Sequence, residues 1–321
     1  MPVRPVSLQR RLLLASVLGA PAAALAWPDR PVRLLVPFGA GGITDIVARV
    51  TAEQLSAQLG QTVVVENRPG AGGNIAAGAL AQAPADGYTL MFSTLALLAV
   101  NPHLYDKLPF DPFRSFTYIS AVASTPHAVV VNPAVKASSL QELVKDARSR
   151  PEGLRFGTAG IGSSPHQGLE IFQRAANVKL LHVPFKSGAE SVNAVLAGQI
   201  DMTFEALPVV MPHVKAGKLK ALAIAATRRE ASEPALPTTA EAGLPALVSG
   251  SVSGVLAPAG LPADIRDRLR KALQAAMQQP AMKGRLFAQG SSVLDLGPDE
   301  FQSLARSQYD RWGGILKPAS K

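Results

Sequence analysis

A chain of 321 residues with 47% hydrophobic residues and no cysteine has material for two hydrophobic cores, and it excludes disulfides and Cys-ligated zinc or iron–sulfur centres. Its formal charge of +9 is scattered, with small groups only at Arg228-Arg229 and from Arg266 to Lys271, and aromatic residues make up 5%. This argues against a nucleic-acid partner, which calls for clustered cations interleaved with stacking aromatics, and fits a surface that draws in anionic solutes.

Taken in order, the chain opens with Arg4, Arg10 and Arg11, an apolar run from Leu12 to Leu18, and small residues down to Ala24-Leu25-Ala26. That is the three-part plan of a secretory signal peptide, residues 1–26, cleaved near Ala26 so that the mature chain begins at Trp27 in the periplasm. The run is shorter than the roughly 20 residues of a spanning helix. Arg10-Arg11 raises twin-arginine export, but Gln9 stands where such signals carry Ser or Thr, which favours the general secretory route. Losing these three arginines takes the charge from +9 to +6.

From Arg30 onward β-branched runs alternate with Ala/Leu-rich amphipathic stretches, the pattern of βα units. The first block predicts strands at 32–37, 62–66 and 89–93 and helices at 44–59 and 73–82, the first of these stopped by Gly60. A second block predicts strands at 128–131, 155–157, 179–183, 200–204 and 221–226, with helices at 140–149, 166–176, 191–197 and 208–216. The Gly/Ser-rich stretch 249–254 interrupts the rhythm. An apolar strand, a turn at 258–262 and helices at 263–278 and 298–316 complete the chain.

No G-x-S-x-G, G-x-x-x-x-G-K-[ST], H-E-x-x-H or EF-hand pattern occurs. His103, His127, His166, His182 and His213 fall on separate elements without metal-ligand spacing, so neither a metal nor a cofactor is expected. Gly39-Ala40-Gly41-Gly42 follows the first strand, but Thr44 stands where a dinucleotide fingerprint needs Gly or Ala. A second loop, Gly157-Thr158-Ala159-Gly160-Ile161-Gly162-Ser163-Ser164, again joins a strand to a helix. Either alone reads as a tight turn. Two of them, one per block, predict facing helix N-termini that clasp a small anion through backbone amides and hydroxyls. An exported hydrolase using Ser163 or Ser164 with His166 would lack an evident orienting acid.

The strings Trp27-Pro28-Asp29-Arg30-Pro31-Val32, Val36-Pro37-Phe38-Gly39-Ala40-Gly41-Gly42 with Asp45, and Glu66-Asn67-Arg68-Pro69-Gly70-Ala71-Gly72-Gly73 then take on a shared meaning. Together with His182-Val183-Pro184-Phe185-Lys186, Gly198-Gln199-Ile200-Asp201 and Ala216-Gly217-Lys218-Leu219, they resemble the receptors of tripartite tricarboxylate transporters, the Bug-type solute-binding proteins. The resemblance covers the whole mature chain. It implies an α/β fold of two domains, a type II Venus flytrap in which each domain is a mostly parallel sheet flanked by helices. Domain 1 is expected over 27–126 and 251–321, and domain 2 over 127–250.

The same resemblance implies a monomeric binding protein and not an enzyme. It holds a small organic acid, amino acid or amide and presents it to membrane permease subunits or, alternatively, to a membrane sensor. Its ligand contacts are expected from Phe38, Gly39, Ala40, Gly42, Thr44, Asp45 and Ser93 in the first domain. In the second they are Thr158, Gly162, Ser163, His166, Pro184, Lys186, Gly188 and Ala189, with Asp201, Phe204 and Glu205 at a strand end. Neutral donors should hold the anion, since Lys186 is the only cation near either loop. Val252, Ser187 and Glu190 depart from the family pattern, which usually has Trp, Gly and Pro there. Glu205 reads either as a solvated strand-end residue or as a receiver of a ligand ammonium or amide, which would favour a monocarboxylate with such a group on its far side.

Overall fold

The computed structural model describes residues 27–316, so the signal-peptide expectation lies outside the described residues. The first half runs β1 (Val32–Val36), α1 (Ile43–Leu59), β2 (Val63–Asn67), α2 (Asn74–Ala81) and β3 (Thr89–Thr94). β1 lies between β2 and β3 and parallel to both. All its residues but Arg33 are buried, because helices cover both faces of this sheet. α1 stops at Gly60, whose φ of +70° is open to glycine without strain and whose N–H returns to the Ser56 carbonyl.

Two short helices, α3 (Leu95–Ala99) and α4 (Asn101–Leu104), were not foreseen, since runs of four or five residues carry no readable period. The 16-residue β4 (Phe116–Val131) then crosses into the second half. There follow α5 (Leu140–Ser149), β5 (Arg155–Thr158), α6 (Ser164–Ala176), β6 (Leu181–Pro184), α7 (Gly188–Leu196), β7 (Met202–Ala206), α8 (Leu207–Lys215) and β8 (Lys220–Ile224). β9 (Gly250–Pro258) brings the chain back, and α9 (Ala263–Gln278), α10 (Pro280–Ala288), β10 (Ser292–Leu296) and α11 (Pro298–Leu316) close the first half.

Both halves follow one plan. The strand order is β2-β1-β3-β9-β4-β10 in the first and β6-β5-β7-β4-β8 in the second, so each has three parallel strands, an antiparallel insert and a fourth strand, with β10 added antiparallel at the edge of the first. β4 belongs to both: up to Pro126 it pairs with β9, and from His127 it lies between β7 and β8. The stretch 249–254, expected as a break, is largely strand β9. Its small residues mark close backbone packing: a Cβ on Gly254 would meet the Ser120 carbonyl and the Phe301 ring, and one on Gly250 the Thr125 carbonyl. Among the described residues no helix is long and apolar enough to cross a membrane.

Candidate ligand site between the two halves

The loops that leave the C-terminal ends of β1, β3, β5, β6 and β7 converge, which is where open α/β sheets place ligands. The seam is tight. Gly39 N–H donates to the Lys186 carbonyl at 3.1 Å, and a Cβ on Gly42 would stand 3.5 Å from the Gly188 nitrogen. A Cβ on Gly39 would stand 3.1 Å from Ser187 Cβ, tighter than ordinary contact, whereas at Gly42 a Cβ would just touch the opposite backbone and anything longer would press into it. Within the seam lies a cavity of about 20 Å³, room for about one water, lined by Phe38, Gly42, Ile43, Thr44, Thr94, His127, Ala159, Ser163, Ser164, Pro165, Gly188, Glu205 and Ser251.

Three buried polar atoms of this lining, Thr94 Oγ1, His127 Nε2 and Glu205 Oε2, have no hydrogen-bond partner. Each such atom costs about 1–3 kcal/mol when left unsatisfied, so three around one cavity mark a place built for something else to complete. His127 stands at the crossover itself. Its Nδ1 shares a 2.9 Å hydrogen bond with Ser249 Oγ, and complete burial pushes its pKa down to about 3, so the ring is neutral. Glu205 Oε1 accepts the Ala206 N–H at 2.9 Å, while burial pushes the carboxyl up to about 7. Gly188 carries no side chain because the Glu205 carboxyl fills the position a Cβ would take.

Helix N-termini add positive potential. α1 begins at Gly42 and has no side-chain cap. α6 begins at Ser163, whose hydroxyl donates to the Gly160 carbonyl at 2.6 Å instead of capping the helix. The first-turn amides of both helices thus lack a side-chain partner, whereas Ser187 caps α7 by accepting the Glu190 N–H.

Of the residues expected from sequence, Phe38, Gly42, Thr44, Ser163, Gly188 and Glu205 come together on the cavity wall. Gly39 and Ala189 form the seam, Ala40 is exposed, and Pro184 and Lys186 line a wider outer groove with Phe38, Ala159, Ile161 and Tyr105. Several others shape the loops. Asp45 accepts the Gly41 N–H, Arg49 Nε and Asn67 Nδ2 at 3.0, 3.0 and 2.9 Å, which fixes the first turn. Thr158 Oγ1 bonds His182 Nε2 at 2.7 Å, the Gly162 N–H donates to His166 Nδ1 at 3.2 Å, and the two rings stack 4.6 Å apart. Ser93 is buried in β3, its hydroxyl on the Thr94 carbonyl.

Asp201 and Phe204 lie apart from the cavity wall. Asp201 precedes β7, about 13 Å from Glu205 at the usual rise per residue, and is occupied by the main-chain N–H and guanidinium of Arg155. Phe204 is wholly buried, edge-on to Phe156 and Phe172 with ring centroids 4.8 and 5.5 Å away. Alternation along the strand sends it to the sheet face opposite Glu205. Conversely, His127, Thr94 and Ser251 join the cavity wall without having been expected from the sequence. A histidine before the apolar 128–131 run was the available signal, but the serine that orients it lies 122 residues away.

These burials set a pH dependence. His127 and His166, the latter held at about 4 by burial and then by His182, favour the neutral ring in the folded state. Their contribution is complete above the unfolded value near 6.5 and is lost as pH falls through the folded values. Glu205 acts oppositely: its folded value near 7 exceeds the ordinary 4.5 of a glutamate, so its contribution is complete below 4.5 and is lost as pH rises through 7. The two histidines outweigh the one carboxyl, and His182, lowered by burial, acts on their side. Urea denaturation should show a net stability loss on the order of 3 kcal/mol between pH 6.5 and 4, and a steeper loss in Glu205→Gln.

Fold and site together define a two-domain α/β periplasmic binding protein. The chain belongs to the tripartite tricarboxylate transporter family receptors, whose family model matches residues 47–320. It is 36% identical to the protein BugT of Bordetella pertussis over 301 residues, 94% of this chain and 92% of that one. Among solved structures it is similar to Rpa4515 of R. palustris with adipate, at 34% identity and a TM-score of 0.87, covering 91% of this chain and 97% of that one. MatC of Rhodopseudomonas palustris with bound malate is similar at 31% identity and a TM-score of 0.86, covering 91% and 100%. The family is one of solute-binding receptors and not of enzymes.

Proposed function

We propose that this chain is an exported receptor that closes its two domains, 27–126 with 251–321 and 127–250, around one small carboxylate-bearing metabolite. It hands that metabolite to membrane permease subunits and acts as a monomer, without chemical turnover. The reading rests above all on the three unpartnered buried polar atoms around one cavity at the crossover of β4 and β9, a space that holds about one water here and widens to admit the metabolite when the domains part. The uncapped first turns of α1 and α6 supply amides for a carboxylate, as neutral donors do at other helix N-termini. Malate and adipate, bound by the two R. palustris proteins, are both small carboxylates.

Calorimetry and thermal unfolding with a panel of small carboxylic and amino acids test this reading. One panel member should bind saturably at one site, and at 1,000 times its Kd it should stabilise the fold by about 4 kcal/mol. It should also be recovered unchanged; product formation would overturn the reading. If backbone amides carry the anchor, Gly42→Leu, which drives a side chain into Gly188 and Ser187, should cost at least about 100-fold in affinity. Lys186→Met should cost less than about tenfold, and a larger loss for the lysine variant would assign the anchor to a direct ion pair.

A further inference from the structure

The cavity contains one acid, Glu205, and no Lys or Arg lines it. Lys186, the nearest cation expected from the sequence, belongs to the outer groove. The other titratable groups on the surrounding elements are engaged elsewhere. On α1, Asp45 holds Gly41, Arg49 and Asn67; on α7, the Glu190 carboxylate accepts the Lys186 main-chain N–H at 3.2 Å; on α6, His166 holds Gly162. On β4, His127 is neutral and faces the cavity lining with its Nε2 unpaired. The nearby hydroxyls do not supply the missing donor: Ser163 donates to Gly160, and Ser251 shares a 3.4 Å contact with Ser253. Among the described residues Glu205 Oε2 therefore has no donor.

We infer that Glu205 and His127 form a second pole of the site, a subsite for an N–H-bearing group, so that the ligand is a small carboxylate carrying an ammonium or primary amide at its other end. The inference rests on the carboxylate-capture reading above and adds the chemistry of the far end. A ligand N–H completes Glu205 Oε2. In the tautomer whose Nδ1 accepts from the Ser249 hydroxyl, His127 Nε2 carries the proton and can donate to an amide oxygen. A second carboxylate beside Glu205 would meet an unscreened like charge unless one of the two were protonated. Burial in the seam described here pushes the Glu205 carboxyl up to about 7, so enclosing it without a partner N–H favours the protonated form. An ammonium expels that proton, and a second carboxylate requires its uptake.

Calorimetry at pH 7 in buffers of differing ionisation enthalpy reads both affinity and proton balance on the unmodified protein. The probes are matched sets of three to six carbons: plain monocarboxylates, ω-amino acids, dicarboxylate monoamides and dicarboxylates. The expected result is at least tenfold tighter binding of an N–H-bearing member than of its plain and dicarboxylate counterparts, with proton release for the ammonium form. Glu205→Gln should reduce the preference for ammonium over plain acid at least tenfold, and Glu205→Asp should retain part of it. Tighter binding of a dicarboxylate with proton uptake would overturn the inference and leave carboxylate capture standing. An undiminished ammonium preference in a folded Glu205→Gln would also overturn it. Failure of every member to bind the folded protein would overturn carboxylate capture, and this inference with it.

Discussion

Gly162→Ala should weaken ligand binding by about 100-fold or more while lowering fold stability by only about 1–2 kcal/mol. The modest term is local, since Gly162 has a φ of +83° and an L-residue pays for that backbone in any state of the receptor. The large term arises across the seam. A Cβ on Gly162 would overlap Asn101 Oδ1, on α4 of the opposite half. Asn101 has no room to retreat: it is fully buried, and its Nδ2 donates to the Gly72 carbonyl at 3.1 Å and to Asn74 Oδ1 at 2.6 Å. The overlap exists only where the halves meet, so the substitution penalises the closed form selectively and lowers apparent affinity by the closed fraction lost.

The same contact can be approached from the other side. Gly72, with φ of +62°, lies against the Ile161 carbonyl, which also accepts the Tyr105 hydroxyl at 3.2 Å. Gly72→Ala should therefore reproduce the Gly162→Ala phenotype, and Tyr105→Phe, which removes one exposed hydrogen bond, should cost only a few-fold. Calorimetry gives the affinities, and small-angle scattering with saturating ligand reports whether the variants still compact. Wild-type affinity and compaction in both glycine variants would mean that the seam is not part of the closed receptor.

Phe204→Ala should cost about 3–5 kcal/mol of stability and leave the Kd of the folded fraction within about threefold. The ring is fully buried, packs edge-on against Phe156 and Phe172, and lies against Gly168, where a Cβ would strike it. Truncation leaves a cavity in the second-half core, away from the residues that line the ligand cavity. Chemical denaturation measures the first quantity, and calorimetry well below the unfolding transition measures the second. Unchanged stability with lost binding would return Phe204 to the site.

Local patterns along the chain set the class of architecture and the position of the loops. Alternating β-branched and Ala/Leu-rich segments named most of the βα units, and Glu66-Asn67-Arg68-Pro69-Gly70-Ala71-Gly72-Gly73 pointed to the family that the model over residues 47–320 identifies. Periodicity and glycine placement are local properties, set by a repeat of two or 3.6 residues and by backbone sterics, so they are readable along the chain. Tertiary structure decided what each polar side chain does. Strand alternation turned Phe204 into the core and Glu205 to the cavity, and Arg155, 46 residues from Asp201, removed that aspartate from the candidate site. Antiparallel pairing of β4 with β9 brought Ser249 to His127 and made a crossover-strand histidine part of the cavity wall. Burial and hydrogen-bond satisfaction depend on every neighbour in three dimensions, and for these residues the deciding neighbours lie 46 to 122 positions away in the chain.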